Sequence, residues 1–212
     1  MIIDLANENS SSIYHLMTQT LIPRPVAWVL TQHQQGHLNL APFSYFTAVS
    51  SEPPLLMFSV GNKTPGEGKD TKVNIANNPY FVVHIASEAL ASEVTESSRS
   101  LPATESELDS IAVNMVDFGD FPLQRVAECP IAFACKLHAL QDVPGAPQTM
   151  VFGEIVKIYI DDKVARSEEK RKPDGTSSTR LLVDALQVNP IARLGADQYA
   201  SLGRILNISR PK

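Results

Sequence analysis

Short apolar runs separated by turn residues organise this chain. PVAWVLTQ (25–32) is rich in β-forming residues and runs into QHQQGHLN, a polar turn signal containing Gly36. LNLAPFSYFTAVS (38–50) continues as strand, with Pro42 required to sit at a bulge, a bend or an unpaired edge. After SEPP comes LLMFSVG (55–61), an apolar run of strand length, so the first third predicts consecutive antiparallel strands. The period then changes. Val73, Ile75 and Ala76 fit a short helix after Asp70, a favoured N-cap type, and Asn77-Asn78-Pro79 ends it, because a residue before proline is pushed out of the α region.

YFVVHIA (80–86) predicts a strand too apolar to be half-exposed, and SEALASEVTESS (87–98) a surface helix capped by Ser87. Residues 99–128 are mixed and carry no clear period. IAFACKLHALQ (131–141) and TMVFGEIVKIYI (149–160) predict two longer strands joined by the loop DVPGAPQ. ARSEEKRKPDGTSSTR (165–180) has no apolar face and reads as a solvated excursion, with a lid or partner-binding segment as the alternative. The C-terminal part predicts a final strand or short helical turn around 196–202. No internal repeat is present. Strands this numerous, interrupted by helices, predict a mainly β fold: an antiparallel barrel with a few short peripheral helices.

Composition narrows the function classes. With 212 residues, 43% of them hydrophobic, the chain suits one domain spanning 1–212. A net charge of −5 argues against broad capture of nucleic acid. The N-terminal segment MIIDLANENSSSIYHLM lacks a long apolar run, and no run approaches the ~20 residues that span a bilayer. The expectation is a soluble, cytoplasmic protein. Cys129 and Cys135 lie in a predicted strand, where six residues separate Cα atoms by roughly 20 Å, so buried thiols rather than a disulfide are expected.

Catalytic signatures are missing. G-x-S-x-G is absent, and the five histidines are scattered. His33 and His37 flank a turn and have no neighbouring Cys or Glu that would complete a zinc site. Asp161 and Asp162 point to opposite faces of a strand end. GEGKDT (66–71) resembles the end of a phosphate-binding loop, but Asp70 follows the lysine where Ser or Thr is needed, and Lys63 stands where the first glycine belongs. The dinucleotide pattern G-x-G-x-x-G fails at Thr71. What remains is an anion site: unpaired N–H groups at a helix start, a full charge on Lys69 and a hydroxyl on Thr71. The competing reading makes Asp70 a simple cap, Thr71 a first-turn residue and Lys69 a solvated side chain.

LIPRPVAWVLT, NLAPFSYFTAVSSEPPLLMFSV and KDTKVNIANNPYFVVHI, taken in order, resemble the flavin reductase-like, FMN-binding family of split β-barrels. ECP (128–130), GEIV (153–156) and NPIARLGADQYASLG extend the resemblance over nearly the whole chain. It implies a homodimer with FMN near the subunit interface, FAD being the less favoured cofactor. The phosphate would be held by Lys69, Thr71 and the helix start, with Asp70 and Asn74 in the same cofactor-binding set. Asn39, Ala41, Pro42, Phe43 and Ser44 would line the isoalloxazine through backbone N–H groups, with Pro42 bending the strand. Ser59 would reach the ribityl chain or phosphate, and Arg193 and Tyr199 would complete the pocket. His84 departs from the family, which often carries asparagine there.

The implied activity is NAD(P)H-dependent: flavin N5 takes hydride from NADH or NADPH, with FMN or free flavin as the acceptor, and reduced flavin passes to a partner oxygenase. Neither a catalytic side chain nor a metal is needed. The alternatives are a flavoredoxin-like electron carrier and a non-catalytic flavin-binding module.

Overall fold

The strands Ala27–Gln32 and Tyr80–Ile85 carry no polar–apolar alternation because both of their faces are covered. Trp28, Leu30 and Val82 point into one cluster with Leu40, Val94, Phe118 and Val126, while Val29, Phe81 and Val83 point into another with Phe43, Phe58, Ile75 and Val151. A computed structural model describes residues 1–64, 66–171, 175–209 and 211. Its main feature is a seven-stranded antiparallel sheet in the order Leu38–Phe43, Ala27–Gln32, Tyr80–Ile85, Ile131–Asp142, Thr149–Ile160, Pro54–Val60, Phe46–Ser51.

The two edge strands of this sheet are consecutive in the chain. Only Ser44 and Tyr45 separate Phe43 from Phe46, so three Cα steps hold the edges within about 11 Å of each other. The sheet therefore curls on itself, and Phe43 meets Phe58 at 5.2 Å between ring centroids inside the curl. Among the described residues no ladder joins the two edges. The expected barrel is thus a curled, mainly β sheet without a hydrogen-bonded closure. Ile75, on the helix Asp70–Asn77, is fully buried in the inner cluster and plugs the curl. The outer cluster is covered by residues 87–130, which include the stretch 99–128 whose sequence shows no clear period.

Several elements differ from their sequence-based expectation. The run 38–50 is two strands, because the chain turns at Ser44-Tyr45 to cross the seam. Pro42 does not bend the first of them: its partner is Trp28 in an unbroken register, and it lies on the outer edge where a missing N–H costs no ladder bond. Residues 87–98 form a 3-10 turn, Glu88–Leu90, and a short helix, Ala91–Glu96; Ser87 precedes the turn without a capping side-chain bond. Ser10–Thr20 is a helix capped by Asn9, which the sequence did not announce. The polar stretch 165–180 is solvent-exposed as expected, and within it Ala165–Arg171 and Ser177–Val183 pair as a hairpin; residues 172–174 of that stretch lie outside the described residues. At the C-terminal end, Ala192–Arg193 pairs with both Arg24–Pro25 and Tyr199–Ala200.

Gly153 faces Leu137 in the long strand pair, and a Cβ there would lie 2.4 Å from the Phe81 ring. Its absence lets Phe81 pack flush on the sheet.

Candidate functional site

The helix Asp70–Asn77 begins with Lys69 at the N-cap, and no side chain caps it. This overturns the expectation that Asp70 caps the helix. Asp70 is the first helical residue, and its carboxylate lies 2.7 Å from the Lys63 ammonium. Lys63 also donates to the Leu101 carbonyl at 3.1 Å, tying the 97–101 loop to the helix start. The Asp70 charge is thereby neutralised where an anion would otherwise be repelled. Lys69 is exposed, with its ammonium 5.8 Å from the Phe43 ring centroid and no ion-pair partner among the described residues.

Thr71 is 1% exposed, and its hydroxyl oxygen accepts from the Asn39 side-chain amide at 3.1 Å. An accepting hydroxyl keeps its own proton to donate, and Thr71 lines the adjoining cleft. That cleft, about 60 Å³, is walled by Asn39, Ala41, Pro42 and Phe43 on one side, by Lys69, Asp70 and Thr71 at its head, and by residues 97–101 opposite. Glu107 closes its floor. It is 5% exposed and accepts from the Leu40 N–H at 3.0 Å. Burial pushes its carboxyl above the usual range, against the lowering effect of that N–H bond. Since Leu40 spends its outward N–H on Glu107 and Pro42 has none, the edge strand itself offers no outward N–H at these two positions.

A second lobe of about 190 Å³ adjoins the first, lined by Tyr14, Val26, Pro42, Ser44, Ser98, Arg193 and Tyr199. Pro42 and Ser98 border both lobes, so one groove runs from Thr71 to Tyr199. Arg193 lies with its guanidinium 4.6 Å over the Tyr199 ring and donates to the Ala196 carbonyl. Behind them Arg24, 8% exposed, donates to the carbonyls of Thr18, Leu21 (3.0 Å) and Leu194 (2.7 Å) and to the Ser44 hydroxyl (3.4 Å). One side chain thus fastens the N-terminal helix, the C-terminal turn and the groove wall.

Of the residues singled out in the sequence, Asn39, Ala41, Pro42, Phe43, Lys69, Asp70 and Thr71 meet in the first lobe, and Ser44, Arg193 and Tyr199 join Pro42 in the second. Two lie elsewhere. Asn74 is 3% exposed and donates its amide to the Thr31 hydroxyl at 3.1 Å, inside the fold. Ser59 belongs to neither lobe and donates its N–H to the Tyr45 carbonyl.

Sequence reasoning missed Lys63, Glu107 and the 97–101 loop. Lys63 stood out only as a failed glycine position. The cluster SSRS (97–100), small hydroxyls around an arginine after a helix, was the one available signal for the loop.

His84 is a satisfied core residue. Its Nδ1 bonds the Trp28 carbonyl at 3.0 Å, and its Nε2 accepts from the Val126 N–H at 3.0 Å. Full burial lowers its pKa to about 4, the Trp28 bond opposing. Cys129 and Cys135 are both buried free thiols, in separate clusters, and burial pushes both upward. The His33 and His37 rings stack at 4.4 Å, but among the described residues no group of three or more His, Cys, Asp or Glu is placed to hold a metal. No described helix is long and apolar enough to cross a membrane.

The chain is 35% identical over 207 residues to the uncharacterized protein YwrF of Bacillus subtilis, covering 96% of this chain and 95% of that one. Its fold superposes on nitrilotriacetate monooxygenase component B from Bacillus cereus with a TM-score of 0.85, at 29% identity and 98% coverage of each chain. A putative flavin reductase with split barrel domain from Shewanella frigidimarina shares the fold with a TM-score of 0.81, at 20% identity and complete coverage of both chains. Residues 18–175 match the flavin reductase like domain model. With its curled sheet, its groove along the seam and this match over most of its length, the chain belongs to the flavin reductase like domain family.

Proposed function

We propose that this protein is an NAD(P)H-dependent flavin reductase that holds FMN in the seam groove and works as a cytoplasmic homodimer. The observation that carries the reading is the Asn39–Thr71 bond, because it joins the strand expected to carry a flat ring to the helix start expected to carry a phosphate. The residues present fit FMN. Lys69 is a cation without an ion-pair partner among the described residues, the helix start is uncapped, and Thr71 keeps a proton to donate. Lys63 neutralises the one carboxylate at the helix start.

When bound, FMN would supply a ring that accepts hydride from a reduced nicotinamide. The chain's part is to bind, orient and exclude water. Lys69, Thr71 and the first-turn amides would hold the phosphate. Ala41, Pro42 and Phe43 give an apolar wall for the ring, and Ser44 and Ser98 offer hydroxyls near its far end. Neither lobe alone reaches the ~300 Å³ at which ligand pockets usually begin. A second copy closing over the seam would supply the missing wall, which supports a dimer with flavin near the interface. The monooxygenase component among the structural neighbours supports transfer of reduced flavin to a partner oxygenase.

The test is anaerobic stopped-flow reduction of the FMN-loaded protein by NADH and by NADPH. Rapid bleaching of the yellow flavin by either is expected. Bleaching only by a protein or chemical donor would replace the reductase with an electron carrier, and an apoprotein that takes up no flavin would end the proposal.

A further inference from the structure

A wide apolar trough of about 690 Å³ lies beside the flavin groove and shares one lining residue with it, Ser44. Met17, Leu21, Ile22 and Pro23 form one bank, where the N-terminal helix runs toward the first strand, and Phe46 and Met57 form the other. Met17, Leu21 and Ile22 are exposed although apolar. Arg24 is the one charged residue of the lining, and its guanidinium is already spent on three carbonyls and a hydroxyl. The trough therefore offers no free charge to a ligand, and its exposed apolar banks are of the kind a partner surface covers.

The chain itself carries a matching occupant. After Tyr199–Ala200, residues 201–209 form no helix or strand, make no hydrogen bond or ion pair among the described residues, and join neither apolar cluster. Leu202, Ile205, Leu206 and Ile208 nevertheless make this tail strongly apolar, and they are from 43% to 83% exposed. Solvated linkers are poor in such residues. The tail's own trough is on the wrong side for it. In the small ladder, Ala192–Arg193 stands between Tyr199–Ala200, from which the tail departs, and Arg24–Pro25, which line the trough. No residue of the tail lines that trough. A second copy removes the obstacle, because a twofold axis lets each tail fill the other's trough. Surface area agrees. The chain exposes 13184 Å², whereas a compact monomer of its mass exposes about 9,700 Å². The excess exceeds the roughly 1,000–2,500 Å² that each copy of an obligate pair hides.

We infer that two copies of this chain exchange their C-terminal arms, residues 201–209 of each seating Leu202, Leu206 and Ile208 in the apolar trough of the other; this rests on the two-copy assembly proposed above and names the surface through which it forms. Ser44 lines both trough and groove, so the exchanged arm packs beside the groove wall. The open edge strand Phe46–Ser51, which pairs on one side only among the described residues, gains cover from the same arm.

Sedimentation velocity of the full chain, with and without FMN, is the first measurement, and two copies are expected in both. Leu206→Asp in the tail and Leu21→Asp in the trough should each weaken the pairing at least tenfold, while Leu206→Met should not; circular dichroism confirms that all three fold. Leu21→Cys combined with Leu206→Cys should, on oxidation, join two chains by a disulfide, since the native Cys129 and Cys135 are buried. Either cysteine variant alone should not. A disulfide within one chain, no disulfide, or unchanged pairing in a folded Leu206→Asp would each overturn the inference and leave the two-copy reading standing. A single copy in solution would overturn both. Failure to take up flavin would end the FMN reading alone, because the flavin-free chain still reports its pairing.

Discussion

The side-chain amide of Asn39 donates to the hydroxyl of Thr71 at 3.1 Å, both residues being buried. Thirty-two positions apart in sequence, they join the edge strand of the sheet to the first turn of the helix that plugs it. Accepting this bond keeps the Thr71 proton off the Asn39 amide and available to donate elsewhere.

Thr71→Ala should therefore weaken FMN binding by a factor of roughly ten to a hundred, the range for a hydrogen bond to a charged group at about 1.5–3 kcal/mol. Thr71→Ser should retain most of the affinity. Fluorescence titration of the apoprotein measures both, and equal affinity in wild type and alanine variant would remove Thr71 from the phosphate site.

Lys63 and Asp70 make opposite predictions from one ion pair, whose side chains are 17% and 22% exposed. Lys63→Met leaves a carboxylate at the helix start and should weaken FMN binding. Asp70→Asn removes a negative charge there and should hold or raise affinity. The double variant should bind better than Lys63→Met alone. Dissociation constants for the three variants form a cycle that tests the charge argument without reference to turnover.

Acid should destabilise the protein through His84. Its folded pKa of about 4 lies below the ordinary 6.5, so between those values the unfolded chain takes up a proton that the folded chain refuses. Stability is then complete above pH 6.5 and declines as pH falls toward 4, by about 3 kcal/mol in all. Glu107 acts in the opposite sense, because its raised pKa lets the folded form gain a proton first. The imidazole resonances of His84 isolate its share: no titration near pH 6.5 and a midpoint near 4 are expected. A midpoint near 6.5 would contradict the buried neutral ring.

Gly153→Ala should cost about 1–3 kcal/mol, the range for overpacking, since its methyl would fall 2.4 Å from the Phe81 ring. Phe81→Leu combined with it should recover part of the loss. Chemical denaturation of the single and double variants measures this, and an additive double variant would show that the two sites do not touch.

Strands were legible where burial is two-sided or alternation is regular. Ala27–Gln32, Tyr80–Ile85 and Thr149–Ile160 read directly from their apolar content. The hairpin Ala165–Arg171 with Ser177–Val183 was not, because it buries almost nothing and its pairing is a backbone matter. Residues 99–128 were opaque for a related reason: they are ordered by the sheet face they cover, and their own periodicity contributes little.

At the site, the chain's local chemistry alone determined that KDT opens a helix with a cation and a hydroxyl, and that NLAPF is strand. Tertiary structure decided which charges count. Asp70 looked like a cap and is instead neutralised by Lys63, while Asn74 looked like a ligand and bonds Thr31 in the interior. Glu107 reached the groove from a segment without a readable period, and among the described residues no carboxylate pairs with Arg193. Local propensity acts over a few residues, but electrostatic pairing depends on distances of a few ångströms between segments far apart in the chain, and only the folded sheet brings those segments together.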